Sequence, residues 1–550
     1  LFVNWGVGLQ RGFVPLALVP AGKNRPAQAP GNKAYQSEGN GINSFLPYLH
    51  NMQFKLQLLL VFCLGTTLSL TAQTAEEINR DAMAALAAYD TPGFAVGVIK
   101  DGKVVLSAGF GTRTDGKEEA VDGATLFAIA SNSKAFISTS LTKLHVEGKL
   151  DLDEPVQTYL PYFQLYDPYV SSHTTVRDLL CHRVGLGTFS GDAIWYKSEK
   201  SAEEIIRQIR HLPQAYEWRA GYGYTNLMFI TAGEVIRSVT GQSWAEYVRS
   251  NFFGPLGMSR SQTSVKPLAE MGNVATPHVT HRGNQPLRMA PWEASGAAGG
   301  IISSTDDMLK WLNAQLQEGT VAGKEIFPEK VLDQTFKVHN FSGGKLSFSS
   351  IGLGWFIYER EGKAVVTHGG GYDGMYSRVI MIPELELGIV VLSNSMTGLS
   401  SALGSRIRDL ALGIDDIDWL TDATDREDKG RASWQEKFTA PKASRVMDTK
   451  PTVGVDDMVG TYADPLFGKF EVVRTGERQL ELHFDRSPSL NATLSHWHYD
   501  TWKLEWHEPH AWFDFGTVQF LKDNRQQVSG LRFDVPNDDI FFEELEGVRE

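Results

Sequence analysis

The chain is poor in cysteine, with two among 550 residues, Cys63 and Cys181. A disulfide framework is excluded, and the core must come from apolar packing. Surplus positive charge is also missing. The formal net charge is −13 and no long block of like charge occurs, which excludes a typical nucleic-acid partner, because phosphate binding draws on clustered Lys and Arg. Long hydrophobic runs are absent with one exception, LQLLLVFCLGTTLSL from Leu56 to Leu70, too short for an ordinary transmembrane span. Behind Met52-Gln53-Phe54-Lys55 and ahead of Thr71-Ala72, it has the layout of an export signal. Residues 52–72 are read as that signal. Residues 1–51, rich in Gly, Pro and Asn, are read as sequence upstream of the true start or as disordered. The expectation is a periplasmic or secreted protein with no stable membrane span after signal removal. Its single remaining cysteine, Cys181, cannot form an internal disulfide.

The composition that is present, 42% hydrophobic and 21% charged, is that of a globular protein, and the length suggests two to four domains. Phe94–Ile99, Asp101-Gly102 and Val104–Leu106 read as a hairpin with an Asp-Gly turn. After Phe127 the pattern turns helical, with a first helix stopping at Gly148. Further helices are expected over Val176–His182, Ala202–His211, Leu227–Thr240 and Trp244–Phe253. Strands are expected over Gly352–Tyr358, Lys363–Thr367, Ser377–Ile382 and Leu387–Leu392, then a helix within Ser401–Leu412. Strands at both ends of this region and helices between them predict an α/β sheet with an inserted helical subdomain. Residues 416–455, with DREDKGR and scattered Lys and Pro, read as a charged linker. From 456 to 550 apolar residues alternate, as in Leu480, Leu482 and Phe484, the signature of a small all-β barrel or sandwich.

Three stretches bear chemistry. Ser-x-x-Lys occurs at Ser131–Lys134, Ser140–Lys143 and Ser342–Lys345. Ser140 falls inside a predicted helix, where its hydroxyl bonds back to its own turn, and Ser342 falls in a Gly-rich stretch read as a loop. Ser131 stands at a helix start, where the first-turn N–H groups favour negative charge. Spacing of i, i+3 puts Lys134 on the same face. A nucleophile and a simple helix cap are both open there. Tyr224-Thr225-Asn226 is the one Tyr-x-Asn among 17 tyrosines. Such a tyrosine can carry a proton and the asparagine can bind an amide, or the segment is a plain loop. His368-Gly369-Gly370-Gly371 lets a ligand backbone lie against a strand edge, unless its histidine is incidental. His496, His498, His507 and His510 form a weak metal signal beside four tryptophans, and aromatic packing is the preferred reading.

In this order, with Asp178–Leu186 (DLLCHRVGL), Gly241–Met258, and Ala298–Ile301 through Asp306-Asp307-Met308, the three stretches resemble the class C β-lactamase and serine DD-peptidase superfamily over roughly 78–415. The resemblance implies a β-lactamase/transpeptidase-like antiparallel sheet with flanking helices over residues 73–415. Val459–Tyr462 and His496–Thr501 resemble the small lipocalin-like β-barrel many of these enzymes carry. It also implies roles: Ser131 as nucleophile forming an acyl-enzyme, Lys134 and Tyr224 moving the proton, and Asn226, His368 and Gly370 binding substrate. The N–H groups of Ser131 and Gly371 would form an oxyanion hole, worth about 3–4 kcal/mol per donor. No metal or cofactor is implied. His368 and Gly369 stand where β-lactamases carry Lys and Thr or Ser, and a histidine is a weaker, pH-dependent cation. That points away from efficient β-lactamase action and toward a peptide, such as one containing a D-amino acid, or a small ester. A non-catalytic binding or assembly protein on the same fold, or a weak β-lactamase, is the alternative. The barrel is expected to gate the cleft or to mediate homo-oligomers.

Overall fold

The computed structural model describes residues 75–343, 348–415, 418–477 and 479–550. The expected signal segment, the residues before it, Cys63 and Lys345 lie outside these. Contacts divide the chain into Leu1–Glu76 and Glu77–Glu550, and the second unit is described here.

Its first hairpin is β1 (Gly93–Lys100) and β2 (Lys103–Gly111). Asp101 and Gly102 turn it at φ of 50° and 69°, a conformation that Asp-Gly enters at little cost. Six later strands complete the sheet: β3 (Asn340–Gly343), β4 (Phe348–Ile351), β5 (Phe356–Arg360), β6 (Lys363–Tyr372), β7 (Met375–Ile382) and β8 (Leu387–Ser393). The antiparallel order is β2-β1-β8-β7-β6-β5-β4-β3. Because β1 pairs β8, with Phe94 opposite Ser393, the two ends of the region close one sheet. Period-two alternation then serves two cores. Phe94, Val96, Ile389 and Val391 face the helix over 77–88, while Ala95, Val390 and Leu392 join the core on the other side.

Three strand expectations change. Gly352–Tyr358 is not one strand, because Gly354 at φ +74° turns the chain between β4 and β5. Ser342 lies in edge strand β3 rather than in a loop. β6 runs on through all three glycines to Tyr372, since pairing with β7 from Val366↔Met381 to Tyr372↔Met375 offsets the poor strand propensity of glycine.

Between β2 and β3 lies the helical insertion, with α1 (Ser133–Val146), α2 (Asn226–Thr240) and α3 (Thr305–Leu316) as its longest helices. α1 ends as expected: Gly148 takes φ +71° and Lys149 N donates to Leu144 O at 2.9 Å. The helix at Val176 stops at Leu180, short of His182, and Trp244–Val248 continues as a π turn over Arg249–Phe253. After β8 comes α4 (Leu399–Ala411).

The stretch read as a charged linker contains instead a 25-residue helix, α5 (Trp419–Ala443). Its own pattern is too polar to announce a helix, so tertiary contacts supply the stability. Ala423 and Phe438 are buried, Gly398 N donates to Glu427 Oε2 at 2.8 Å, and Lys437 pairs with Asp538 of the barrel.

The barrel is closed by eight antiparallel strands: β9 (Gly460–Asp464), β10 (Gly468–Arg474), β11 (Leu480–Phe484), β12 (Ala492–His498), β13 (Thr501–Trp506), β14 (Thr517–Lys522), β15 (Val528–Asp534) and β16 (Glu546–Arg549). Closure pairs Tyr462 with Arg549, leaving no open edge. Phe470, Phe484, Phe533 and Phe542 are buried together, with Phe470 and Phe484 centroids 5.3 Å apart. Segment 190–200 of the insertion lies against the barrel: Glu199 N donates to Arg486 O at 2.6 Å and the Lys200 ammonium to Phe467 O. Among the described residues no helix is long and apolar enough to cross a membrane.

Candidate active site

Ser131 sits in a 3-10 turn, Ala130–Asn132, that runs directly into α1. Ala130 just before it takes φ +48°, a left-handed conformation unfavourable for a residue with a Cβ. The capping alternative for Ser131 is not realised, since the helix is entered through Asn132 with no side-chain cap bond. Ser131 Oγ instead accepts from Lys134 Nζ at 3.0 Å. Ser140, by contrast, donates to Phe136 O at 2.7 Å, the back-bond expected of a mid-helix hydroxyl.

The sheet holds this turn from below. Ser377 of β7 donates to Ile129 O at 2.7 Å and accepts from Asn132 Nδ2 at 2.8 Å. Strand β6 passes so close that a Cβ on Gly370 would stand 2.3 Å from Ile129 O and 3.0 Å from Ser131 N. Only glycine fits there. A Cβ on Gly371 would reach the Trp512 ring at 3.1 Å, so the loop between β13 and β14 brings a barrel side chain to the strand beside Ser131.

Lys134 is completely buried. Besides Ser131, its Nζ reaches Asn226 Oδ1 at 2.8 Å and Ala298 O at 2.7 Å, and it lies 4.9 Å from the Tyr224 ring centroid. Burial pushes its pKa down to about 7, against the opposing charge of Asp192. Tyr224 is buried as well. Burial pushes its phenol far up, opposed by a hydrogen bond with Ser131. Its ring stacks on His182 with centroids 4.4 Å apart. Asn226 opens α2, and its Nδ2 donates to Asp192 Oδ2 at 2.7 Å.

His368 is buried beside these groups, its ring centroid 6.2 Å from Tyr224 and 5.2 Å from Phe356. Its Nδ1 faces the Gly369 carbonyl at 2.5 Å, so Nδ1 carries the proton and donates. Burial, with Lys134 adding to it, pushes the imidazole down to about 3. The pH-dependent cation expected from sequence is therefore a neutral ring.

All the residues singled out from sequence thus meet around one point: Ser131, Lys134, Tyr224 and Asn226 through hydrogen bonds, Gly370 and Gly371 through the strand edge, His368 through ring contacts. Asp192, Ser377 and the Ala298 carbonyl were not foreseen as neighbours of the site. Asp192 has a local sign only in Trp195, whose indole N–H donates to Asp192 Oδ1 at 2.7 Å. Other flagged stretches are structural. Asp178 closes a capping box with Thr175 and pairs with Arg183 and Arg219, each at 2.6 Å. Asp307 accepts from Arg260 N and Ser261 N, both at 2.9 Å. The C-terminal histidines have separate partners: His496 meets Tyr499 O, His507 meets Thr493, and His510 lies by Tyr196.

A family model described as Beta-lactamase matches residues 78–413, and one described as a domain of unknown function (DUF3471) matches 444–549. Unguisins hydrolase ungD of Aspergillus violaceofuscus is 30% identical over 443 residues, 72% of this chain and 76% of that protein. The fold is shared with the octameric penicillin-binding protein homologue of Pyrococcus abyssi, at TM-score 0.56 and 21% identity over 86% of this chain and 99% of that one. It is also shared with a class C beta lactamase of Rhodobacter sphaeroides, at TM-score 0.51 and 22% identity over 60% and 99%.

Proposed function

This chain belongs to the Beta-lactamase family, and we propose that it is a serine hydrolase that cleaves an amide or ester through an acyl-Ser131 intermediate. The observation that carries this is the bond from buried Lys134 to Ser131 Oγ at 3.0 Å, with the lysine pushed down to about 7. A lysine poised there is half neutral near pH 7 and can take the hydroxyl proton, the match a general base needs. Tyr224, held protonated by burial, is no base, so Lys134 is assigned the base. The proton it takes from Ser131 is returned from its ammonium through the Tyr224 hydroxyl, which receives one proton as it gives one up to the leaving group. The N–H groups of Ser131 and Gly371 are assigned to the developing oxyanion.

The neutral His368 supplies no positive charge for a substrate carboxylate, which supports a peptide or small ester over a β-lactam. Export is proposed from residues 52–72 alone, and the mass of the mature protein tests it. For the activity, a panel of D- and L-aminoacyl esters and anilides, with a β-lactam beside them, is offered to the wild type and to Ser131→Ala. Loss of all turnover in Ser131→Ala is expected. Wild-type rates in that variant, or no covalent adduct from any acylating probe on the wild type, would sink the proposal and leave a binding protein on this fold.

A further inference from the structure

We propose that Asp192 is a positioning residue for the reaction at Ser131, its carboxylate fixing which end of the Asn226 carboxamide faces Lys134. This rests on the reading of Ser131 and Lys134 given above.

A carboxamide has two ends, one that only accepts and one that only donates. Asp192 Oδ2, 2.7 Å from Asn226 Nδ2, selects the amino end, which leaves Asn226 Oδ1 to accept from Lys134 Nζ at 2.8 Å. A flipped amide would set oxygen against oxygen at Asp192 and N–H against N–H at Lys134. Asp192 is buried, which pushes its carboxyl up. Yet its other oxygen meets the Trp195 indole N–H at 2.7 Å, so both oxygens face donors, the pattern an ionised carboxylate satisfies.

The turn carrying Asp192 is itself clamped by the barrel. Glu544 accepts from Ser190 Oγ at 2.6 Å and from Gly191 N at 2.7 Å. A continuous path therefore runs from Glu544 through Asp192 and Asn226 to Lys134 and Ser131. The titratable groups around Lys134 are Asp192, Tyr224 from the segment just before α2, His182 from the loop after Val176–Leu180, and His368 from β6. Both histidines are pushed down by burial, with Lys134 adding to it, and are uncharged near neutrality. Asp192 is left as the negative charge acting on the lysine, with Asp539 a further charge acting on Asp192.

The test is the pH dependence of fluorophosphonate labelling, followed by intact mass, on folded full-length protein. In the labelling step Ser131 Oγ bonds to phosphorus, fluoride leaves, and the hydroxyl proton passes to Lys134. In the wild type the rate should rise with pH through a limb near 7. Asp192→Asn removes the charge that favours the ammonium, so the limb should move down by about one pH unit, with at least about a tenfold loss of rate on the plateau from the disturbed amide. The swap Asp192→Asn with Asn226→Asp keeps every donor opposite an acceptor and puts the carboxylate next to the lysine. Its limb should move up by about one unit. If Asp192→Asn alone does not fold, the swap decides. A limb unmoved in the swap, or a swap that does not fold although its pairing is preserved, overturns the role of Asp192, while labelling of Ser131 in the wild type keeps the reading of Ser131 and Lys134 standing. Absence of any adduct on wild-type Ser131 overturns the underlying reading and this inference with it.

Discussion

Two interiors of this chain are equally buried and chemically opposite. Around Ser131 the buried groups are an amine, a carboxylate, two imidazoles and a phenol: Lys134, Asp192, His182, His368 and Tyr224. Inside the barrel they are aliphatic and aromatic, such as Leu482, Leu504 and Phe484, whose ring lies within 5.7 Å of Phe470 and of Phe533, centroid to centroid. The same exclusion of water pushes Lys134 down to about 7 in the first region, and in the second only rewards apolar contact. The first region gives up stability for reactivity and the second supplies stability without chemistry. The barrel nevertheless reaches the polar region through Trp512 and Glu544, so the two regions are mechanically joined.

The sharpest break in this comparison is Lys134→Met. It should lower Ser131 labelling by about 1,000-fold or more, yet leave the melting temperature unchanged or raise it, because a buried amine is replaced by a side chain of similar size. Labelling kinetics and calorimetry on the same sample check both halves.

Next is Phe484→Ala. Emptying that part of the barrel should cost about 3–5 kcal/mol in denaturant unfolding, while the fraction that remains folded labels at close to the wild-type rate. A large rate loss in the folded fraction would show the barrel interior to be coupled to the chemistry.

Smaller is a pH slope in stability. Lys134 has an ordinary pKa of 10.5 in an unfolded chain and about 7 when buried, so the unfolded state binds more protons between these values. Stability should therefore rise with pH across that window, by up to about 1.4 kcal/mol per unit for this one group. Its contribution should be missing from the Lys134→Met profile measured by urea unfolding.

The smallest effect is expected at α5, which links the segment after β8 to the barrel. Asp418 accepts from Thr421 N at 3.3 Å as its N-cap, so Asp418→Ala should cost about 1 kcal/mol or less. No change in Ser131 labelling is expected.

Much of this is legible in the sequence. The first hairpin, the Gly148 end of α1 and the barrel strands follow from alternation and from turn residues, because local spacing decides which side chains share a face. Ser131 was marked by its place at a helix start and Tyr224 by the uniqueness of its Tyr-x-Asn. The resemblance of the flanking stretches joined both to His368, and the back-bonded Ser140 was separable from Ser131 by its depth in a helix. Helix α5 was not legible, because its stability comes from Ala423, Phe438 and Glu427 meeting distant partners. The neutral state of His368 was not legible either.

What the sequence by itself determined is the inventory: a serine and a lysine one turn apart, a single Tyr-x-Asn, and a run of glycines able to lie flat against a helix start. What only the tertiary structure decided is their protonation and orientation. Those depend on burial and on partners from distant parts of the chain, 92 residues away for Lys134 and Asn226 and 353 for Glu544 and Gly191. No local pattern encodes the dielectric surroundings of a side chain, and here those surroundings set whether Lys134 is an ammonium or a base.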